Sequence, residues 1–238
     1  MSVSVKVSKA SQWLKLDSLL VVTGIVSGLI GNYDSPAGEV SKIMPATYSF
    51  AIWAPIYLTG FYFAWWLVRA KAVDFGTGVH LLALSFFMSG LWVRVQSNNA
   101  LELVIVASNL VVVVTQGHLL SKIETKNRQD FFAIKFPSGM LAAWITLATA
   151  VTFSDGLDIS FKETKTVAIF AAFAVGFAVC AAGLIVPTLT YRLTLIWGLV
   201  GIVIAQHKQE QQVAIVAGVG IGFLLAIILR SQMQSSSN

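Results

Sequence analysis

Between Pro45 and Val68 the chain reads PATYSFAIWAPIYLTGFYFAWWLV, twenty-four residues without an Asp, Glu, Lys, Arg or His. At ~1.5 Å of rise per residue, such a run on a helix crosses the ~30 Å hydrocarbon core of a bilayer. Nine of its residues are aromatic, including three of the seven tryptophans. Phe50, Trp53, Tyr57, Phe61 and Trp65 recur at steps of three and four, which predicts one aromatic stripe along a helix. Pro45 stands just ahead, where a missing N–H costs nothing. Pro55 lies inside the run and predicts a kink, with neighbouring helices satisfying the freed carbonyl.

Charge is scarce throughout. Charged residues make up 11% of the 238, hydrophobic ones 56%, and mean hydropathy is +0.77. A soluble domain carries roughly 25% charged residues, so lipid replaces water around most of this surface. The net charge of +5 does not point to nucleic acid, because the charges sit at the ends of apolar runs and form no basic face. Cys180 is the single cysteine and forms no internal disulfide.

Seven further apolar runs flank the aromatic one, at about 18–32, 79–95, 101–120, 131–153, 166–186, 188–205 and 213–229. The first is short, and each of the last three is near the ~20 residues a span needs. Gly24 and Gly28 in the first run form a GxxxG pair that lets helix backbones approach closely. The short loop 96–100 predicts an antiparallel hairpin, across which Arg94 and Glu102 are placed to pair. Pro187 separates the sixth and seventh runs. Residues 1–16 read as a polar, basic leader, with an organelle-targeting segment as the rival reading. Residues 231–238 read as a disordered polar tail.

The expected architecture is an all-α integral membrane protein with eight transmembrane helices and both termini on one side. Were the last three runs two spans, the C-terminus would cross. With eight, Lys6, Lys9, Lys15, Arg69, Lys71, Lys122, Lys126, Arg128, Lys135, Arg192 and Arg230 share the terminal side. Lys42, Arg94, Lys162, Lys165 and Lys208 lie opposite. Eleven against five places the termini in the cytoplasm or its organellar equivalent.

The second run resembles the signature of the TspO/translocator-protein family, the tryptophan-rich sensory proteins, in Phe50-x-x-Trp53-x-x-x-Tyr57 behind Pro45. Pro137 to Ala148, PSGMLAAWITLA, resembles the family's fifth helix, with Trp144 followed four residues on by Ala148. Ser89-Gly-Leu-Trp92 resembles its third-helix N-x-x-W. The resemblance covers residues 15–155. Ile196-Trp197-Gly198-Leu-Val-Gly201 in the seventh run resembles a longer branch, which divides the chain into a five-helix bundle at 17–155 and a three-helix extension at 156–230. Ser89 replaces the family's usual Asn, Leu141 its usual Tyr, and Thr152 stands near its late Asn. The resemblance implies a hydrophobic or tetrapyrrole-like ligand (haem, porphyrin, or a sterol- or carotenoid-like lipid) held between helices for transport or sensing. Trp53, Tyr57, Phe61, Trp92 and Trp144 are the ligand-binding candidates.

Other chemistry is thin. His80, His118 and His207 lie near span ends, without metal-pair spacing on one helix. Lys135, Arg94, Glu102 and Arg192 stand close enough to an end to snorkel, so an ion-coupled pump is disfavoured. Asp155 and Asp158 share a loop with Lys162 and Lys165, and Gly218-x-Gly220-x-Gly222 lies inside an apolar run with no preceding strand. No enzyme is expected. The partners expected are membrane lipids, a hydrophobic small molecule, and a second copy or larger complex. The rival function is a structural or assembly subunit of a photosynthetic or respiratory membrane complex.

Overall fold

A computed structural model describes residues 2–30, 41–69, 76–95, 99–125, 127–159 and 162–236, with side chains from 12 to 234. The loop residues Asp34, Pro36, Gly38, Glu39, Lys71, Asp74 and Lys126, and the leader side chains Lys6 and Lys9, lie outside the described ones. Eight helices are long and apolar enough to cross a membrane. They are α1 (Ser2–Ile30), α2 (Trp53–Arg69), α3 (Thr77–Val95), α4 (Asn99–Ser121), α5 (Arg128–Gly156), α6 (Thr164–Ile185), α7 (Leu189–Gln206) and α8 (Gln211–Ser236). The described residues contain no strand.

Both ends are more helical than expected. The polar leader is the first half of α1, and the span proper begins near Gln12. The expected disordered tail is also helical: α8 runs on to Ser236, and Ser231 is held by Arg192 of α7. Pro55 does not stand in the middle of a continuous α-helix. A 3-10 turn over Thr47–Ile52 precedes α2, and Pro55 falls in the first turn of the α-helix, where no intrahelical N–H bond is lost. The other two helix-associated prolines each follow a wider π turn, Phe131–Lys135 before Pro137 and Ala181–Ile185 before Pro187. A proline ring clashes with the carbonyl four residues back in a regular helix, and a π turn relieves that clash. Within α5 the chain then continues as helix; at Pro187 it breaks, and Thr188 caps α7 by accepting from Tyr191 N.

Five helices close a ring: α2 packs on α1, α1 on α3, α3 on α4, α4 on α5, and α5 back on α2. Glycine sets its tightest contact. A Cβ on Gly24 would collide with the backbone of Phe86, and one on Gly90 with the backbone of Gly24. The GxxxG pair thus serves two neighbours, since Gly28 instead makes room for the Tyr57 hydroxyl. Phe63, Phe86 and Ile25 fill the middle. Polar side chains join helices across the ring. Ser138 Oγ donates to Gln116 Oε1 at 2.8 Å while Gln116 Nε2 donates to Ser138 O at 3.2 Å.

The extension is built onto the ring rather than beside it. α7 packs on α5, α8 on α7, and α6 on α8. Thr146 of α5 and Tyr191 of α7 share a hydrogen bond at 3.1 Å.

Two expected electrostatic arrangements do not form. Glu102 accepts from Trp92 Nε1 at 2.9 Å, whereas Arg94 Nε donates to Ser27 Oγ of α1. Residues two apart face opposite sides of a helix, so α3 turns Trp92 to α4 and Arg94 to α1. Arg192 does not snorkel: it is 7% exposed and hydrogen-bonded between α6 and α8.

Candidate functional site

The aromatic stripe of α2 does not stay on one side of the protein. Trp53 is buried and Tyr57 half-buried, while Phe61 and Trp65 are exposed. Four residues turn a helix by ~40° more than one full circle, so each step carries the stripe further from the buried face. That face is continued by Ile56, Gly60, Phe63 and Leu67. Phe61 therefore looks outward. Trp65 carries Arg69 over its ring at 4.5 Å, an arrangement suited to the membrane–water boundary.

The buried end of the stripe forms a cluster. Trp53 stacks on Tyr57 with centroids 5.2 Å apart, and meets Trp144 of α5 edge-on at 6.3 Å. Phe50, from the 3-10 turn, meets Trp144 edge-on at 5.6 Å. Of the five candidates, the structure brings Trp53, Tyr57 and Trp144 together. No ring contact joins Trp92 to them among the described residues; it closes the α3–α4 hairpin instead.

Trp53 is 7% exposed and its Nε1 is buried without an acceptor. A buried donor left unpaired costs about 1–3 kcal/mol, so this N–H is an open recognition element inside an otherwise apolar cluster. A second orphan is Asn109 Oδ1 on α4. Its Nδ2 donates to Ser89 Oγ at 3.1 Å. Where the family it resembles usually has an Asn on the third helix, this chain has Ser89 and supplies an amide from the facing helix. Leu141 and Thr152 are both buried.

Residues 41–52 form a strap over the cluster, and α7 holds it. Ala46 N donates to Gly201 O at 3.0 Å, and Trp197 Nε1 donates to Ser49 O at 2.9 Å. Tyr48 meets Trp197 edge-on at 5.5 Å. Gln206 Nε2 donates to Met44 O at 3.1 Å, and Lys42 pairs with Glu210 at 3.4 Å. Gly201 is required by this approach, since a Cβ there would strike Ser49. Gly198 likewise admits Leu147 and brings α7 within reach of Trp144. These strap-holding residues were missing from the candidate set, although Trp197, Gly198 and Gly201 stood out in the sequence as a motif.

A cavity of about 30 Å³ lies between α5, α6, α7 and α8, lined by Leu147, Val151, Ala174 and Leu199 with Thr146 as its polar member. That is room for about one water molecule. The histidines lie elsewhere in the chain and are each engaged: His80 with Asp17, His118 with Ile185 O, His207 with Ile204 O. Among the described residues no three His, Cys, Asp or Glu gather as a metal site.

Against known proteins, the family described as TSPO-like protein matches residues 20–230. The match runs through α7 and α8 as well as the ring. No curated protein and no solved structure matches the chain.

Proposed function

The chain belongs to the TSPO-like family, and on that premise we propose that it binds a flat hydrophobic ligand of tetrapyrrole type beneath the strap, between α2, α5 and α7, for transport or sensing. The observation that carries this reading is the buried, unpaired Trp53 N–H set among Tyr57, Trp144 and Phe50. Aromatic faces stack on a macrocycle, and a peripheral carboxylate or carbonyl on that macrocycle supplies the acceptor that Trp53 lacks. A sterol-like molecule with one oxygen meets the same requirement; a pure hydrocarbon carotenoid leaves the N–H unpaired. The cluster offers no histidine, so the ring is held by stacking rather than through a central metal. Access to this face requires the strap to lift, because Trp53 and Trp144 are buried. Phe61 belongs to the lipid-facing surface, and Trp92 supports the neighbouring hairpin.

The charge distribution supports a cytoplasmic position for both termini, which puts the strap and its cluster towards the opposite side.

The test is titration of the purified protein with protoporphyrin IX, read by tryptophan quenching and porphyrin absorbance. Trp53→Phe keeps a ring but removes the N–H, and is expected to weaken binding roughly tenfold, in line with one lost buried hydrogen bond. The Trp53→Leu/Trp144→Leu pair is expected to abolish binding. Undiminished affinity in that pair overturns the site. A protein that takes up no ligand and leaves its native membrane with a fixed set of other subunits supports the structural-subunit reading instead.

A further inference from the structure

Arg192 stands one turn into α7, 7% exposed. Its Nε donates to Ala182 O in the π turn of α6 at 3.2 Å, and its Nη1 donates to Ser231 Oγ on α8 at 3.3 Å. Both acceptors are neutral. Among the described residues the ion pairs are Lys42–Glu210 and His80–Asp17, and no carboxylate meets Arg192. A guanidinium carries five N–H donors and keeps its charge at all ordinary pH. Here it is wedged between three helices with donors to spare and no counter-charge. A buried charge without a counter-charge is strongly unfavourable, and an anion at this point would offset that cost.

The surroundings indicate which anion. The end of α6, the start of α7 and the end of α8 converge at this point, on the side of the chain that also carries Lys122, Lys135 and Arg230. Exposed apolar side chains stand on the same helix ends: Leu184 on α6, and Leu189 and Leu193 on α7. A headgroup lodged at Arg192 would lay its acyl chains along those leucines.

We propose that Arg192 is the anchor of an anionic-phospholipid site, holding the lipid phosphate while the Ala182 carbonyl and Ser231 hydroxyl fix the guanidinium. Arginine presents parallel N–H groups that match phosphate oxygens, and basic pockets between spanning helices at the membrane face suit such headgroups. Ser231 is a positioning residue, because its hydroxyl proton is committed to Ile228 O at 2.7 Å.

The test uses the full chain in a neutral detergent, with unfolding followed by tryptophan fluorescence. The additions are phosphatidylglycerol, phosphatidylcholine or inorganic phosphate. Phosphatidylglycerol is expected to raise Tm by several degrees more than phosphatidylcholine, as a ligand of the folded state does. Arg192→Gln removes roughly half of that gain or more; Arg230→Gln, which alters an exposed charge near the same end, leaves most of it. Equal gains in wild type and Arg192→Gln overturn the site. A gain from inorganic phosphate equal to that from the lipid overturns the lipid as its occupant. Should Arg192→Gln not fold, native mass spectrometry of Arg192→Lys and Ser231→Ala decides. Less retained phosphatidylglycerol than in Arg230→Gln supports the site, and equal retention overturns it.

Discussion

α5 and α6 are both long apolar helices, and each carries a π turn beside a proline, yet they occupy opposite positions. In α5, 72% of the most apolar window is buried within the protein; in α6 the figure is 22%. The buried helix is the less apolar of the two. α5 places Ser138, Thr146, Thr149, Thr152 and Ser154 in the interior, whereas α6 offers Ile169, Phe173, Phe177 and Leu184 to its surroundings. In water the order would be reversed. In a bilayer the lipid is as apolar as any side chain, so burial goes to helices that gain from close packing and interhelical hydrogen bonds. Hydropathy locates these spans, and polarity within a span marks the centre.

That contrast is sharpest at glycine. Gly24→Val and Gly90→Val force a side chain into a neighbouring backbone on the crowded α1–α3 contact. Each is expected to cost several kcal/mol, about 3 or more, seen as loss of the folded, monodisperse species on size exclusion. Gly176→Ala on α6 and Gly222→Ala on α8 enter open space. They are expected to leave stability unchanged or to raise it by up to about 1 kcal/mol through helix propensity. Equal damage at both sets would erase the distinction between ring and outer edge.

A smaller loss is expected at Ser138→Ala, which strands Gln116 Oε1 in the interior. It should lower stability by about 1–3 kcal/mol, while Ser138→Ala with Gln116→Leu recovers part of it, as measured by denaturant titration in micelles. Trp197→Phe keeps the ring against Tyr48 but removes the bond to Ser49 O. Its expected effect is local: faster proteolysis within the strap and a global change of only about 1 kcal/mol. The Lys42–Glu210 pair is partly solvent-exposed, and Lys42→Met is expected to change stability by about 1 kcal/mol or less. It sharpens the comparison by showing that the strap depends on its hydrogen bonds to α7 more than on the Lys42–Glu210 pair.

Much of this was legible in the residues. The spans from Val79 to Leu229 start within three residues of the expected positions, because desolvation of backbone and charge is read locally. The break at Pro187 was legible for the same reason. The place of Pro55 in the first turn of α2 was not legible, since it depends on where the α-helix starts, and the 3-10 turn ahead of it packs on α7. Of the site, Trp53, Tyr57 and Trp144 are found together, but Phe61 left the group through the drift of a four-residue step. Gln206 and Glu210 gave no signal, because a polar residue at the end of a span looks the same whether it faces water or grips a distant strap.

The sequence alone determined an all-α membrane protein, its eight spans and its family. Those follow from the free energy of placing each segment in hydrocarbon, a sum over neighbours in the chain. Which helix lies at the centre, that the extension clasps the strap, that Trp53 keeps an unpaired N–H and that Arg192 has no carboxylate partner among the described residues were decided by tertiary structure. Each depends on which surfaces of different helices meet, and hydropathy carries no term for that.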